Sequence, residues 1–252
     1  MRIGSVPYLN AKPLIAWFAS PECDGDFEVI EAVPSELAVM LAEGRIDVAM
    51  VSSFELFRKP SPTLVPGISI AADGPVKSVR LFSRVPFERI RSVALDTSSL
   101  TSAALTRILL DELYGLRPEF APHAPDLAEM LDRADAALLI GNIDLFRTPA
   151  EHVLDLGEAW KRLTGLPFVY AAWLARSEAA AQEAAPILTR ARDWGIERLD
   201  AIAEEWARRM DLPLDQVRDY FLNVMRYDLD DEKLAALDVY RERCIRHGLV
   251  RA

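Results

Sequence analysis

Short apolar runs alternate with helix-spaced segments through the first half of the chain. Residues 2–6, 27–32 and 46–51 read as strands, and residues 12–19 and 35–43 place apolar side chains at helical intervals. The run IDVAMV at 46–51 is apolar on both faces, as a strand covered on both sides is. This β-α-β-α order predicts an α/β fold with mostly parallel sheets, helices on both faces and right-handed crossovers. Ligands then belong at the carboxyl ends of strands. Four prolines between Pro60 and Pro75 break the rhythm, and residues 78–84 read as a further strand. A second series follows: strand 92–96, helix 99–114, strand 117–121, helix 126–131 and strand 136–140.

Segments 84–91 and 168–175 read as two crossings between these series. The expected architecture is a two-lobed clamshell, with residues 1–84 plus 175–252 in lobe one and residues 85–174, including the crossing segments, in lobe two. A small ligand would sit between facing strand ends, and the lobes would close on it by a hinge motion. From residue 177 onward the pattern is helical, interrupted at Pro186, Gly195 and Pro213, and this C-terminal tail is assigned to packing on lobe one. Its Trp194, Trp206 and Tyr220 are expected in the core. One long-range echo fits two similarly built lobes. DVAMVSSFELF (47–57) and DAALLIGNIDLF (135–146) each run from Asp through a buried strand to a polar turn, an acidic residue and Leu-Phe. The two turns are Ser52-Ser53 and Gly141-Asn142.

Composition bears on the partner more than on the fold. With 252 residues, 51% hydrophobic and 27% charged, the chain carries enough apolar surface for a core and is not a disordered one. A net charge of -10, from 39 acidic and 29 basic side chains, argues against a nucleic-acid or anionic membrane partner. It is compatible with an anionic small molecule, because backbone N–H groups and hydroxyls can hold a carboxylate locally. No obligate protein partner is evident. Cys23 and Cys244 lie in no CxxC or CxxH spacing, so neither a disulfide framework nor a zinc site is expected. No window reaches 18 apolar, uncharged residues and the N-terminus lacks a leader pattern, which together predict a cytoplasmic protein starting at Met1. Nucleotide-loop, nucleophile-elbow and zincin motifs are absent from the sequence. His123, His152 and His247 all stand outside hydroxyl-rich turns, which disfavours an imidazole base.

Two turns carry candidate chemistry. The segment from Asp96 to Ser102, DTSSLTS, leaves a strand and opens a helix, where backbone amides are unpaired. Ser98, Ser99, Thr101 and Ser102 can there grip a carboxylate, or Ser98 or Ser99 can simply cap its own helix. Asn10, in SVPYLN, directly follows the first strand; its amide both donates and accepts, and it either meets a ligand or caps the next helix.

Taken in order, RIGSVPYLNAKPL, PSELAVMLAEGRIDVAMVSSFE, DGPVKSV, ALDTSSLTSAALTRILL and DLGEAWKRLTGLPFVYAAW resemble the chorismate dehydratase family of the futalosine route to menaquinone, between residues 2 and 173. The resemblance implies a fold similar to type 2 periplasmic binding proteins, no metal or organic cofactor, and loss of water from the dicarboxylate chorismate to give 3-(1-carboxyvinyloxy)benzoate. On matched positions it implies Asn10 and Ser78 as hydrogen-bonding groups at the reacting centre. Tyr8, Ser52, Ser53, Ser98, Ser99, Thr101, Ser102, Gly141 and Asn142 would surround the substrate. Glu55, in SSFE, is the motif carboxylate nearest to a base; a salt link or a helix start is its other role, and a substrate carboxylate is the other base. Where the family runs IGDAAL, this chain has Ile140-Gly141-Asn142-Ile143-Asp144-Leu145, so position 142 is not acidic. Two further readings stay open. One is a cytosolic, non-catalytic solute-binding or sensor protein for a small carboxylate on the same fold. The other is the enzyme that makes 1,4-dihydroxy-6-naphthoate, whose family begins with a Cys-Pro-Asn-Asp-type motif and relies on a histidine; the matching turns here have neither.

Overall fold

A computed structural model describes residues 1–58, 60–142, 146 and 150–251. The first lobe begins with β1 (Arg2–Ser5), α1 (Lys12–Ile15), β2 (Glu28–Glu31), α2 (Pro34–Ala42), β3 (Val48–Ser52) and β4 (Thr63–Ala72). The second contains β5 (Val79–Ser83), β6 (Ser92–Asp96), α3 (Leu100–Tyr114), β7 (Glu119–His123), α4 (Leu127–Arg133), β8 (Ala136–Ile140) and β9 (His152–Asp155). Through α5 (Leu156–Thr164) the chain returns to β10 (Phe168–Ala175), then α6 (Glu178–Ile196), α7 (Leu199–Arg209), α8 (Leu214–Asp219), β11 (Met225–Leu229) and α9 (Asp231–Arg246). The strand orders are β11-β4-β10-β3-β1-β2 in one sheet and β7-β6-β8-β5-β9 in the other. Central strands β3 (VAMVS) and β8 (AALLI) are buried at every position, because both faces are covered.

Both sheets are mixed, where the β-α-β-α order predicts mostly parallel ones. β1 runs parallel to β2 and β3, and β6 to β7 and β8, whereas β10 and β5 are antiparallel to their neighbours. The reason is the cleft itself. A strand arriving from the other lobe enters at the cleft, where the parallel strands end, and must run against them. The crossings also lie earlier in the chain than predicted. They are residues 73–78, between β4 and β5, and the passage from β9 through α5 to β10. Residues 84–91 and 168–175 are therefore not crossings, and the lobe boundaries at 84 and 175 move: β5 belongs to lobe two and β10 to lobe one.

The proline cluster hides β4. Pro66 falls where pairing with β10 is irregular and just before pairing with β11 begins at Gly67, so the missing N–H interrupts no ladder. β11, inside the tail predicted as helical, shows period-two burial at Met225, Tyr227 and Leu229. Neither Pro186 nor Gly195 interrupts α6. Pro186 and Gln182, the residue whose carbonyl loses its donor, are both exposed, so water can serve that carbonyl. A Cβ at Gly195 would stand 1.8 Å from the Pro13 carbonyl oxygen, so this glycine lets α6 lie directly on α1. The tail covers lobe one through α6 and α7, and α9 reaches α3 in lobe two as well: Tyr240 donates to the Thr101 carbonyl (3.0 Å) and Arg243 pairs with Glu112 (3.1 Å).

The sequence echo has a structural counterpart. Asp47 accepts the Arg2 N–H at the start of β1 (2.8 Å), and Asp135 accepts the Arg91 N–H just before β6 (2.9 Å). Each carboxylate ties its strand to the start of the parallel neighbour. Ile143, Asp144 and Leu145, the later part of the echo, lie outside the described residues.

Candidate active site

The carboxyl ends of β1, β3 and β8 and the first turn of α3 converge between the lobes on a cavity of about 50 Å³. Lobe one contributes Tyr8, Asn10, Ser52 and Tyr170 to its wall, and lobe two Ser78, Ser99, Ser102 and Gly141. A larger hollow of about 310 Å³, lined by Arg107, Asp111 and His247 among others, contains none of these turns.

Asn10 is placed by the chain's exit from β1. It caps nothing: neither the tight turn Leu9–Ala11 nor α1 has a side-chain cap, and Pro13 in the first turn of α1 has no N–H to satisfy. Its side chain instead lies in hydrogen-bonding reach of the Tyr220 hydroxyl. Tyr220 donates its own proton to Ser78 Oγ at 2.7 Å. Facing a phenol whose proton is already committed, the Asn10 amide has Nδ2 as its donor and Oδ1 as its acceptor. That oxygen is buried with no partner among the described residues.

Ser78 ends the first crossing. Lys77 before it is held at a φ of +63°, a conformation that persists only under constraint. Asp155 supplies the constraint by accepting the N–H groups of Val76 (2.9 Å) and Lys77 (2.7 Å) while capping α5 through Gly157 (2.9 Å) and Glu158 (3.1 Å). Burial pushes the Asp155 carboxyl above its ordinary value, against the lowering effect of these four amides. The Ser78 carbonyl accepts the Gly141 N–H (2.9 Å), which sets the two residues side by side. Gly141 has a φ of +76°, and a Cβ there would stand 2.6 Å from Tyr8 Cδ1.

At the start of α3, Ser99 is the N-cap and accepts the Ser102 N–H at 3.3 Å, while both side chains also line the cavity. Its neighbours are spent between the lobes. Ser52 Oγ accepts the Thr101 N–H (2.9 Å) and is bonded to the Thr101 hydroxyl, which accepts the Phe54 N–H (3.1 Å). Ser53 donates to the Val169 carbonyl (2.7 Å). Ser98 stands beside the Tyr8 side chain, and its N–H goes to Asp96 (2.8 Å), whose carboxyl burial pushes up. Asn142 Oδ1 accepts the Leu9 N–H (2.9 Å), a bond that a carboxylate at 142 would make equally well.

Of the expected substrate-binding residues, Tyr8, Ser52, Ser99, Ser102 and Gly141 reach the wall with Asn10 and Ser78. Ser53, Ser98, Thr101 and Asn142 do not; their polar atoms bind protein groups around the cleft. Glu55 is set apart as well. It lies in the helical turn Ser53–Phe57, pairs with Arg58 at 3.1 Å and lines a different hollow. Replacing Thr101 with valine keeps its shape but strands the buried Phe54 N–H, so stability should fall by about 2 kcal/mol, several degrees in a thermal melt. A melt unchanged from wild type, with weakened ligand binding, would return Thr101 to carboxylate gripping.

Among the described residues on the cavity wall there is no carboxylate, imidazole, amine or guanidinium. Burial pushes the Tyr8 phenol up to about 12. The Tyr170 and Tyr220 phenols are pushed up further by burial, with the Asp155 charge adding to it, so all three are neutral donors at neutral pH. Among the described residues, no three His, Cys, Asp or Glu side chains cluster as a metal site would require. Tyr220 corrects the sequence reading of the tail. It is buried like a core aromatic, but its hydroxyl is part of the site. No local pattern marks it, since it arrives from 142 residues away.

The menaquinone biosynthesis family model matches residues 1–246. The chain belongs to the menaquinone biosynthesis family. The match takes in most of the tail, beyond the motifs that end at residue 173. Relatives include a chorismate dehydratase of Thermus thermophilus, 34% identical across 95% of this chain and 93% of its own length, and one of Campylobacter jejuni, 28% identical across 97% of each. Among solved structures, an Archaeoglobus fulgidus protein superposes with a TM-score of 0.76 at 16% identity, covering 99% of this chain and 98% of that one. The periplasmic aliphatic sulphonate binding protein of Escherichia coli superposes with a TM-score of 0.65 at 16% identity, covering 100% and 94%. At that identity the likeness concerns the fold alone: this menaquinone biosynthesis protein has the two-lobed architecture of periplasmic binding proteins.

Proposed function

We propose that this protein is a carbon-oxygen lyase of menaquinone biosynthesis that removes water from chorismate to give 3-(1-carboxyvinyloxy)benzoate. The observation that carries the reading is the cavity wall, on which the described residues offer neutral hydrogen-bonding groups and no ionised base. Chorismate supplies what such a wall lacks. Its C3 proton is vinylogous to the ring carboxylate, so a second carboxylate of the same molecule can remove it. The C3–H electron pair is delocalised towards the ring carboxylate and returns as the C3–C4 π bond when the C4–O bond breaks. The departing oxygen keeps its electron pair and takes up the proton carried by the carboxylate. Aromatisation drives the step, and no cofactor is needed.

The protein's part is to hold and to stabilise. Ser99 and Ser102, at the start of α3, meet a carboxylate where the helix end favours negative charge. Asn10 and Ser78, oriented by Tyr220, meet the reacting centre. A cavity of about 50 Å³ is well below the several hundred Å³ usual for small-molecule sites, so the lobes part to admit substrate and close over it. Closing forms the Leu9–Asn142 and Ser52–Thr101 bonds and keeps water out. We assign the enzyme to the cytoplasm, where its substrate is a free small molecule. Among the described residues no helix is long and apolar enough to cross a membrane.

Incubation of the purified protein with chorismate tests this directly. Loss of the diene absorbance with matching appearance of the aromatic diacid is the expected result. Saturable binding that leaves chorismate intact would make the protein a solute-binding module instead.

A further inference from the structure

We propose that Tyr170 is a catalytic residue whose hydroxyl donates a hydrogen bond to the oxygen that leaves the substrate, an inference that rests on the dehydratase reading. Tyr170 is 7% exposed, and its ring is fixed edge-on against Phe168, with centroids 4.8 Å apart. It lines the same cavity as Asn10 and Ser78. Its hydroxyl is buried and has no partner among the described residues. A phenol left so is costly to stability, and the fold makes room for it: a Cβ at Gly157 would come within 2.9 Å of the Tyr170 oxygen.

Two residues of this wall thus each carry an unpaired, buried polar atom, the Asn10 acceptor and the Tyr170 donor. A carboxylate could satisfy only the second. A hydroxyl satisfies both, donating to Asn10 Oδ1 and accepting from Tyr170. In chorismate the C4 hydroxyl is the one group with that double character. As the C4–O bond breaks, negative charge grows on its oxygen and the bond from Tyr170 strengthens, which favours the transition state over the bound substrate. Tyr170 keeps its own proton, because a phenolate would be buried beside the Asp155 carboxylate. The proton that completes the water is the one taken from C3.

Tyr170→Phe removes the hydroxyl and nothing else. We expect kcat to fall about ten- to a hundredfold. Affinity for the aromatic product, which has no such hydroxyl, should be unchanged by calorimetry. The melting temperature should hold or rise, because an unpaired buried hydroxyl has gone. A kcat within about twofold of wild type would overturn the proposal. So would a parallel loss of product affinity, which marks a carboxylate contact, or a lowered melting temperature with kcat intact per folded molecule. Failure of the wild-type protein itself to dehydrate chorismate would instead end the dehydratase reading, so the two failures are distinguishable.

Discussion

Replacing Asn10 with aspartate is expected to lower chorismate turnover at least about a hundredfold, the scale on which missing or misplaced polar groups act in active sites. The variant loses the amide donor that Asn10 holds beside the Tyr220 oxygen. The Tyr220 proton then turns to the new carboxylate and leaves Ser78, so the two residues at the reacting centre lose their orientation together. A negative charge is also placed beside a dianionic substrate. Stability should change little, because Asn10 caps no helix and the new carboxylate gains the Tyr220 hydrogen bond. Residual activity should rise as pH is lowered, since a protonated carboxyl is neutral and offers one donor again. Product formation and thermal unfolding measured on one preparation check both halves. A variant turning over at near wild-type rate would remove Asn10 from the mechanism.

Gly141→Ala is the second substitution expected to abolish most of the turnover. Its positive φ costs an alanine about 1 kcal/mol, and the new methyl would meet the Tyr8 ring at 2.6 Å, within the cleft itself. The lobes should therefore fail to close, with kcat falling about a hundredfold and only a modest loss of melting temperature. Gly165→Ala is the control. Gly165 has a φ of +74° and nothing within 4 Å of its would-be Cβ, so it carries the same backbone strain without the collision. If both variants lose turnover equally, strain rather than closure is responsible.

Much of this site was legible before any coordinate. The apolar runs ending at Ser52 and Ile140 announce strands, and the polar residues after them announce turns at strand ends, where an α/β fold gathers ligands. The motif around Asn10 and the one ending in Ser78 could be matched to a family. What the chain does not state locally is which surface each turn will face. Ser53, Ser98 and Thr101 have the composition of an anion grip, yet their partners are Val169, Asp96 and Phe54 around the cleft. The sheet to which β5 and β10 belong is illegible for a related reason. A crossing of six residues differs in no property from a surface loop. Tyr220 and Tyr170 are ordinary buried aromatics in the sequence, and only their hydroxyls, brought in by the tail and by β10, make them part of the chemistry.

The carboxylate of Asp155 has a mechanical consequence. It holds the outgoing connection at Val76 and Lys77 and stands at the head of the returning one, so the two links between the lobes are clamped at a single point. Two tethers free of each other would let the lobes slide and twist; two tethers joined at one pin leave mainly a swing. Under that restriction Tyr8 cannot approach Gly141 unless Ser52 also approaches Thr101. In the proposed closure the two contacts then form together, so a ligand that holds one of them apart costs the other as well, and selectivity against ill-fitting ligands is set at the joint as well as in the pocket.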